Sequence, residues 1–144
     1  MPVFPSVEWF EAVNALVNQC PEYRKIGTAD MVVGFKVADL PDEVYAVTFE
    51  AFEVTGARKI SEEELRTVDF WLELPYSKWK AWLEDIKAHG KSSLDYNVNT
   101  LDLNTPGRMA RTYDQYRGDL FFRLAESLQH YMDESAKIET QFKA

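Results

Sequence analysis

The stretch that decides the fold is residues 67–86, which read TVDFWLELPYSKWKAWLEDI. From Val68 to Leu74 apolar residues recur at every second position, the period of a strand with one buried face. After Pro75 the apolar spacing changes to three and four residues, the period of an amphipathic helix. The helical apolar positions are Trp79, Trp82, Leu83 and Ile86. We therefore expect a strand that leads directly into a helix carrying two indoles on its apolar face.

The residues before this stretch predict a helix followed by strands. Ser6 suits the N-cap of a first helix, whose apolar stripe runs from Trp9 to Cys20. Alternating apolar residues predict one strand at 31–37 and a second at 44–54. Thr55-Gly56 predicts a tight turn before a short return strand near 58–60. With the strand at 68–74, these segments predict an antiparallel meander.

The residues after it predict a further helical layer. The helix of the opening stretch should reach about Ala88, with Gly90 in the terminating left-handed position. Residues 91–107 alternate only weakly, which leaves a fifth strand or an extended loop open. An apolar stripe predicts a C-terminal helix at about 108–138, with a frayed tail at 139–144. The 144 residues show no repeat or linker, so we expect one α+β domain with helices on one face of a mainly antiparallel sheet.

Composition excludes several classes of protein. With 46% hydrophobic and 14% aromatic residues the chain is not expected to be disordered. A net charge of −8 with scattered basic residues argues against nucleic acid as a partner. No apolar run approaches the roughly 20 residues of a membrane span, and the first residues do not resemble a secretory signal. Because Cys20 is the single cysteine, no internal disulfide can form, and we expect a cytoplasmic protein.

The sequence contains no recognisable catalytic or metal-binding motif, so we predict no catalytic residue, no metal and no cofactor. His89 and His130 are far apart and have no ligand spacing, and His89 suits a helix C-terminus. Cys20 lies on the apolar stripe of the first helix and is expected to be a small buried hydrophobe. Asp69 and Glu73 alternate with buried positions of their strand, so both should face solvent.

Three arginines form a small basic group near the C-terminal helix. Arg108, Arg111 and Arg117 could together meet an anionic head group. The nearby carboxylates Asp114 and Asp119 offset the positive charge of this group, so the favoured interpretation is an ordinary solvated surface.

The number of large aromatic side chains is the strongest functional signal. Each ring alone is well explained as core, but together they exceed what a small core needs. A sheet and a helix layer with bulky residues on both faces can enclose an elongated apolar cavity. The expected lining of that cavity is Val33, Phe35, Val47, Phe49, Phe70, Leu72, Trp79, Leu83, Phe121 and Leu124. Trp82 fits plain core equally well.

Several stretches resemble the sterol carrier protein 2 family of lipid-binding domains. They are FPSVEWF at 4–10, NQCPEYR at 18–24, the strand and tryptophan helix at 68–83, and QHYMDESAKI at 129–138. The resemblance implies a five-stranded antiparallel sheet packed by helices, with an apolar tunnel between the layers. It also implies binding or transfer of a sterol, fatty acid, fatty acyl-CoA or phospholipid without chemistry. Residues 92–104 depart from the family pattern, which leaves the rim of the tunnel and the identity of the lipid open.

Two other functions remain open. The first is a small enzyme of the α+β cone type, a cyclase or isomerase, with Asp69, His89 and Asp102 as candidate acid–base groups. The second is an interaction module, in which the Trp79/Trp82 face or the C-terminal helix docks a partner or a second copy in a homodimer.

Overall fold

The computed structural model describes residues 2–21, 30–50, 53–93 and 96–142, without the side chain of Arg123. Its helices are α1 Val7–Asn18, α2 Tyr76–His89, α3 Val98–Asn104, α4 Gln115–Gly118, α5 Leu120–Arg123 and α6 Ala125–Asp133, with 3-10 helices at Glu62–Thr67 and Glu134–Lys137. Its strands are β1 Val3–Phe4, β2 Met31–Val37, β3 Val44–Glu50, β4 Glu53–Lys59, β5 Phe70–Leu74, β6 Ala110–Arg111 and β7 Gln141–Phe142. None of the helices in these ranges has the length and hydrophobicity of a membrane span.

The main sheet has five strands in the order β4-β3-β2-β5-β6. Three of its pairs are antiparallel, which confirms the predicted α+β class and the mainly antiparallel sheet. The predicted simple meander is wrong at β5, which lies parallel to β2 with Val33 opposite Phe70 and Phe35 opposite Leu72. The hairpin and the 3-10 helix between β2 and β5 form the long connection that parallel neighbours require.

The hairpin turn between β3 and β4 is also placed differently from the prediction. Thr55 and Gly56 lie within β4, because Gly56 pairs with Thr48 across the ladder. The ladder is irregular between Thr48 and Phe49, where the register shifts as in a β-bulge. Residues 51–52, between β3 and β4, lie outside the described residues.

The predicted continuous helix at about 108–138 is broken into several pieces. Ala110 and Arg111 form β6 instead, because their backbone pairs with Leu72 and Trp71 at the sheet edge. Helices α4, α5 and α6 then follow one another, and Leu124 leaves helical geometry between the last two, with φ −118° and ψ 15°. The expected frayed tail is partly ordered, since β7 pairs in parallel with β1. Residues 143–144 lie outside the described residues.

Residues 98–104 form helix α3, where the sequence left a strand or an extended loop open. Its N-cap is Asn97, whose side-chain oxygen accepts a hydrogen bond from the Thr100 N–H at 2.8 Å. The predicted ends of the longer helices are confirmed, with Ser6 Oγ accepting from the Trp9 N–H at 3.1 Å. Gly90 ends α2 in the left-handed region at φ 79°.

Both indoles of helix α2 lie in the interior. Trp79 and Trp82 are fully buried, and their rings stack with centroids 5.7 Å apart. The Trp79 N–H donates to the Lys36 carbonyl at 3.0 Å and the Trp82 N–H donates to Ser92 Oγ at 2.9 Å. The Trp79/Trp82 docking face considered from the sequence is therefore wrong, because satisfied N–H groups let both rings be buried.

A smaller apolar cluster covers the opposite face of the sheet. Its buried members are Val44, Ala46, Ile60, Leu65, Val68 and Trp71. The prediction that Asp69 and Glu73 face solvent is wrong, because both are half-buried on this covered side. Asp69 accepts hydrogen bonds from the Val32 N–H at 2.7 Å and from Arg117 Nε at 3.0 Å, which replace the hydration that burial removes.

Candidate functional site

The side chains predicted to line an apolar cavity are all buried in one continuous core cluster. Phe70 and Phe121 also line one surface cleft, and Leu83 lines a separate cleft beside the C-terminal segment. The others line neither cleft and are Val33, Phe35, Val47, Phe49, Leu72, Trp79 and Leu124. The structure thus brings the set together as core, and its role in binding a ligand stays a prediction.

The cleft that contains Phe70 and Phe121, called the arginine cleft below, lies between the sheet edge and helices α4 and α5. Its volume is about 270 Å³. Its lining consists of Phe70, Gly107, Arg108, Ala110, Arg111, Thr112, Gln115, Gly118, Phe121 and Phe122. It therefore combines aromatic side chains from the core with cationic and polar groups from the turn before β6, from β6 itself and from the segment that follows it.

The apolar wall of the arginine cleft runs from the core to the surface. Phe70 and Phe121 are fully buried and meet edge to face, with centroids 5.7 Å apart. Phe121 meets Phe122 in the same manner at 5.3 Å, and Phe122 is 54% exposed. The three rings therefore form a continuous aromatic row from the core to the surface, with the exposed part of Phe122 at its outer end.

Arg108 lies at the mouth of this cleft. Its Nε donates to Asp102 Oδ2 at 2.9 Å, its Nη2 donates to the same oxygen, and its guanidinium lies 4.9 Å from the centre of the Phe122 ring. The Nη1 group has no hydrogen-bond partner among the described residues. Because the side chain is 48% exposed, this group can donate to an anion that enters the mouth.

The guanidinium of Arg111 is occupied by partners within the protein. Its Nη1 lies 3.0 Å from Glu73 Oε2, and its Nε and Nη2 donate to the carbonyls of Arg108 and Pro106. Arg117 does not line the cleft and is paired with Asp69 on the covered face of the sheet. The predicted basic group is thus divided, with Arg108 and Arg111 at the cleft and Arg117 apart from them.

Asp102 holds the loop that carries Arg108. It is 1% exposed, and besides the guanidinium it accepts the Ala110 N–H at 2.8 Å. A buried carboxylate with these partners fixes the path from α3 to β6. The sequence offered Asp102 only as a catalytic candidate, and no motif indicates its structural role, because the turn before β6 brings its partners to it.

The turn before β6 adopts an uncommon backbone conformation. Gly107 and Arg108 have φ values of 75° and 71°, a region that costs a non-glycine residue about 1–2 kcal/mol. A Cβ added at Gly107 would lie 3.2 Å from Arg111 Nη2. The Asp102–Arg108 pair supplies interactions that hold Arg108 in this conformation.

We expect Gly107→Ala to lower the free energy of unfolding by about 1–2 kcal/mol, because alanine is strained at this φ. Urea unfolding measured by tryptophan fluorescence would show the loss. Gly56→Ala is the matched control, since its added Cβ meets no atom within 4 Å. Equal stability of the two variants would contradict the role given to the turn.

The three acid–base candidates named from the sequence lie in separate ion pairs. Asp69 pairs with Arg117, Asp102 pairs with Arg108, and the exposed His89 lies 3.1 Å from Asp85 Oδ1. None of the three lines the arginine cleft. The structure does not assemble them into one acid–base site.

Comparisons with known proteins support the fold. No family model and no curated protein matches the sequence. A crystal structure of sterol carrier protein 2 matches with a TM-score of 0.63 at 16% identity, over 92% of this chain and 97% of that one. A solution structure of a conserved hypothetical protein from Thermus thermophilus, described as a possible sterol carrier protein, matches at 0.58 and 18% identity, over 90% and 87%. The chain therefore has the sterol carrier protein 2 fold that the sequence resemblance implied.

Proposed function

We propose that the protein binds and carries a fatty acid or a related anionic lipid in the arginine cleft, without catalysing a reaction on it. The observation that carries this proposal is the available N–H group of Arg108 at the end of a wall of three phenylalanine rings. A carboxylate would accept from Arg108 while the acyl chain lies along Phe122, Phe121 and Phe70. The other predicted lining residues would form the core behind this wall.

The fold similarity supports the same class of ligand. The two similar solved structures reported above are a sterol carrier protein 2 and a protein described as a possible sterol carrier protein. Because one fold can serve several functions, the proposal rests on the cleft and its chemistry, with which the fold similarity agrees. The single cysteine favours action in the cytoplasm.

The expected affinity is modest. Burial of ten methylenes releases about 8 kcal/mol, and a charge-assisted hydrogen bond adds about 2 kcal/mol. Loss of rotational and translational freedom costs about 4 kcal/mol or more. The net of about 6 kcal/mol corresponds to a Kd in the tens of micromolar, which sets the ligand concentrations for a titration.

The role of Arg108 at the mouth of the arginine cleft is tested by comparing the affinities of two ligands of equal chain length. We expect dodecanoate to bind at least about tenfold more tightly than dodecanol, because only the acid accepts a charge-assisted hydrogen bond from Arg108. Isothermal titration calorimetry on the unaltered protein gives both constants and avoids disturbing the buried Asp102. Equal affinities would refute anion recognition, and no binding of either ligand would refute the proposed carrier function.

The role of the phenylalanine wall in binding is tested by removing the ring of Phe122, its exposed member. Phe122→Ala should weaken binding of dodecanoate and dodecanol alike by about tenfold, since it removes apolar contact from both. Tyr116→Ala is the control, because Tyr116 is 88% exposed and does not line the cleft. If both variants bind as the unaltered protein does, the ligand does not lie along Phe122.

A further inference from the structure

A cysteine, a histidine and a glutamate meet where the end of helix α1 approaches the end of helix α6. Cys20 Sγ lies 3.3 Å from His130 Nε2, and the same nitrogen lies 3.2 Å from Glu134 Oε1. The three potential ligand atoms are all within 4.8 Å of one another. Cys20 is half-buried and contacts a polar neighbour, so the expectation of a simple buried hydrophobe is incomplete. Motif spacing could not reveal the cluster, because 110 positions separate Cys20 from His130.

These separations suit a tetrahedral zinc ion. Zinc–sulfur and zinc–nitrogen bonds of about 2.3 and 2.1 Å place tetrahedral ligand atoms about 3.3–3.6 Å apart. The observed distances of 3.3 and 3.2 Å are close to this range, so small side-chain shifts would admit the ion. The ligand types also agree, since thiolate, imidazole and carboxylate are the groups that bind zinc in proteins.

The surroundings of Glu134 keep it ready to act as an anionic ligand. Glu134 is buried, and its ion pair with Lys137 compensates the carboxylate for the hydration that burial removes. Lys137 Nζ lies 2.8 Å from Oε2, whereas His130 lies near Oε1. The carboxylate could therefore bind an ion through Oε1 while Lys137 orients it from the other oxygen.

The two helices that carry the cluster are held together next to it. Tyr131, the neighbour of His130, donates a buried 2.7 Å hydrogen bond to Asn14 Oδ1 on helix α1. The Cys20 N–H donates to the Val17 carbonyl at 3.0 Å, which fixes the turn after that helix. His130 also lines a cleft of about 550 Å³, through which an ion could reach the cluster.

We propose that Cys20, His130 and Glu134 form a zinc site that joins the end of helix α1 to helix α6, with water as the fourth ligand. The three residues do not line the arginine cleft, so the site is independent of lipid binding. Zinc would replace the Cys20–His130 and His130–Glu134 hydrogen bonds with metal–ligand bonds and would stabilise the folded state by mass action.

Cobalt provides a direct test on the reduced, metal-free protein. Titration with Co²⁺ should produce a thiolate-to-metal absorption band in the near ultraviolet that saturates at one equivalent and disappears when Zn²⁺ is added. Cys20 is the single thiol, so the band identifies it without any substitution. Zn²⁺ should also slow modification of Cys20 by a thiol reagent at least about tenfold. Absence of the band, or an unchanged rate of modification, overturns the proposal.

Matched histidine variants identify the second ligand. His130→Gln should weaken Co²⁺ binding at least about tenfold, and Cys20→Ser should abolish the band. His89→Gln should bind Co²⁺ as the unaltered protein does, because His89 is exposed and paired with Asp85. If His89→Gln and His130→Gln bind Co²⁺ equally well, the assignment of His130 is wrong.

Discussion

Trp79→Ala is expected to lower the free energy of unfolding by about 3–5 kcal/mol, the range for removal of a large ring from a packed core. The indole is fully buried, stacks on Trp82 and lies 6.1 Å from the ring of Phe35. Its loss also leaves the Lys36 carbonyl without the indole N–H. Because domains of this size are stable by about 5–15 kcal/mol, urea unfolding should show a large shift of the midpoint.

The size of the stability loss in Trp79→Ala also shows whether Trp79 packs in a filled core or lines a cavity. Trp79→Phe should cost less than Trp79→Ala, since it keeps most of the apolar contact and loses mainly the N–H donor. Tyr116→Ala should change stability by no more than about 0.5 kcal/mol, because that ring is exposed. A loss below about 1 kcal/mol for Trp79→Ala would show that the ring borders open space, as the sequence-based cavity prediction requires.

Features that depend on local pattern were predictable from the sequence. The switch from strand to helix at Pro75 is confirmed, because each half places its apolar residues on one face regardless of the distant partner. The caps at Ser6 and Gly90 are confirmed for the same local reason. The parallel pairing of β5 with β2 was missed, because alternation marks the buried face of a strand and says nothing about its neighbour.

The candidate site was predictable only in part. Periodicity identified Phe70 and Phe121 as inward-facing, and the cluster of arginines near 108–117 was visible in the sequence. The pairing of Asp102 with Arg108 was not, because it depends on a left-handed turn that no glycine marks at position 108. The Cys20–His130 contact was missed because the packing of two helices creates it, not a sequence motif.

Arg108→Met is expected to cost about 3–5 kcal/mol of stability, more than a surface ion pair would suggest, because it leaves the buried Asp102 carboxylate without its cation. The matched control is Arg58, which pairs with the exposed Glu64 on the surface, so Arg58→Met should cost far less stability than Arg108→Met. Urea unfolding of both variants gives the comparison. Similar small losses would mean that Asp102 reaches water without Arg108.

The double variant Asp102→Leu/Arg108→Met distinguishes two quantities. One is the free-energy cost of a buried carboxylate without its cation, and the other is the net contribution of the Asp102–Arg108 pair to stability. An apolar replacement of both partners removes the unpaired carboxylate, so the double variant should be more stable than Arg108→Met alone. It should remain less stable than the unaltered protein, because the Ala110 N–H loses its acceptor. The same variant should lose the preference for dodecanoate over dodecanol, since no guanidinium remains at the mouth of the arginine cleft. A double variant that is more stable than Arg108→Met, yet equally without acid preference, would show that the stranded carboxylate causes the loss of stability and that Arg108 recognises the anion.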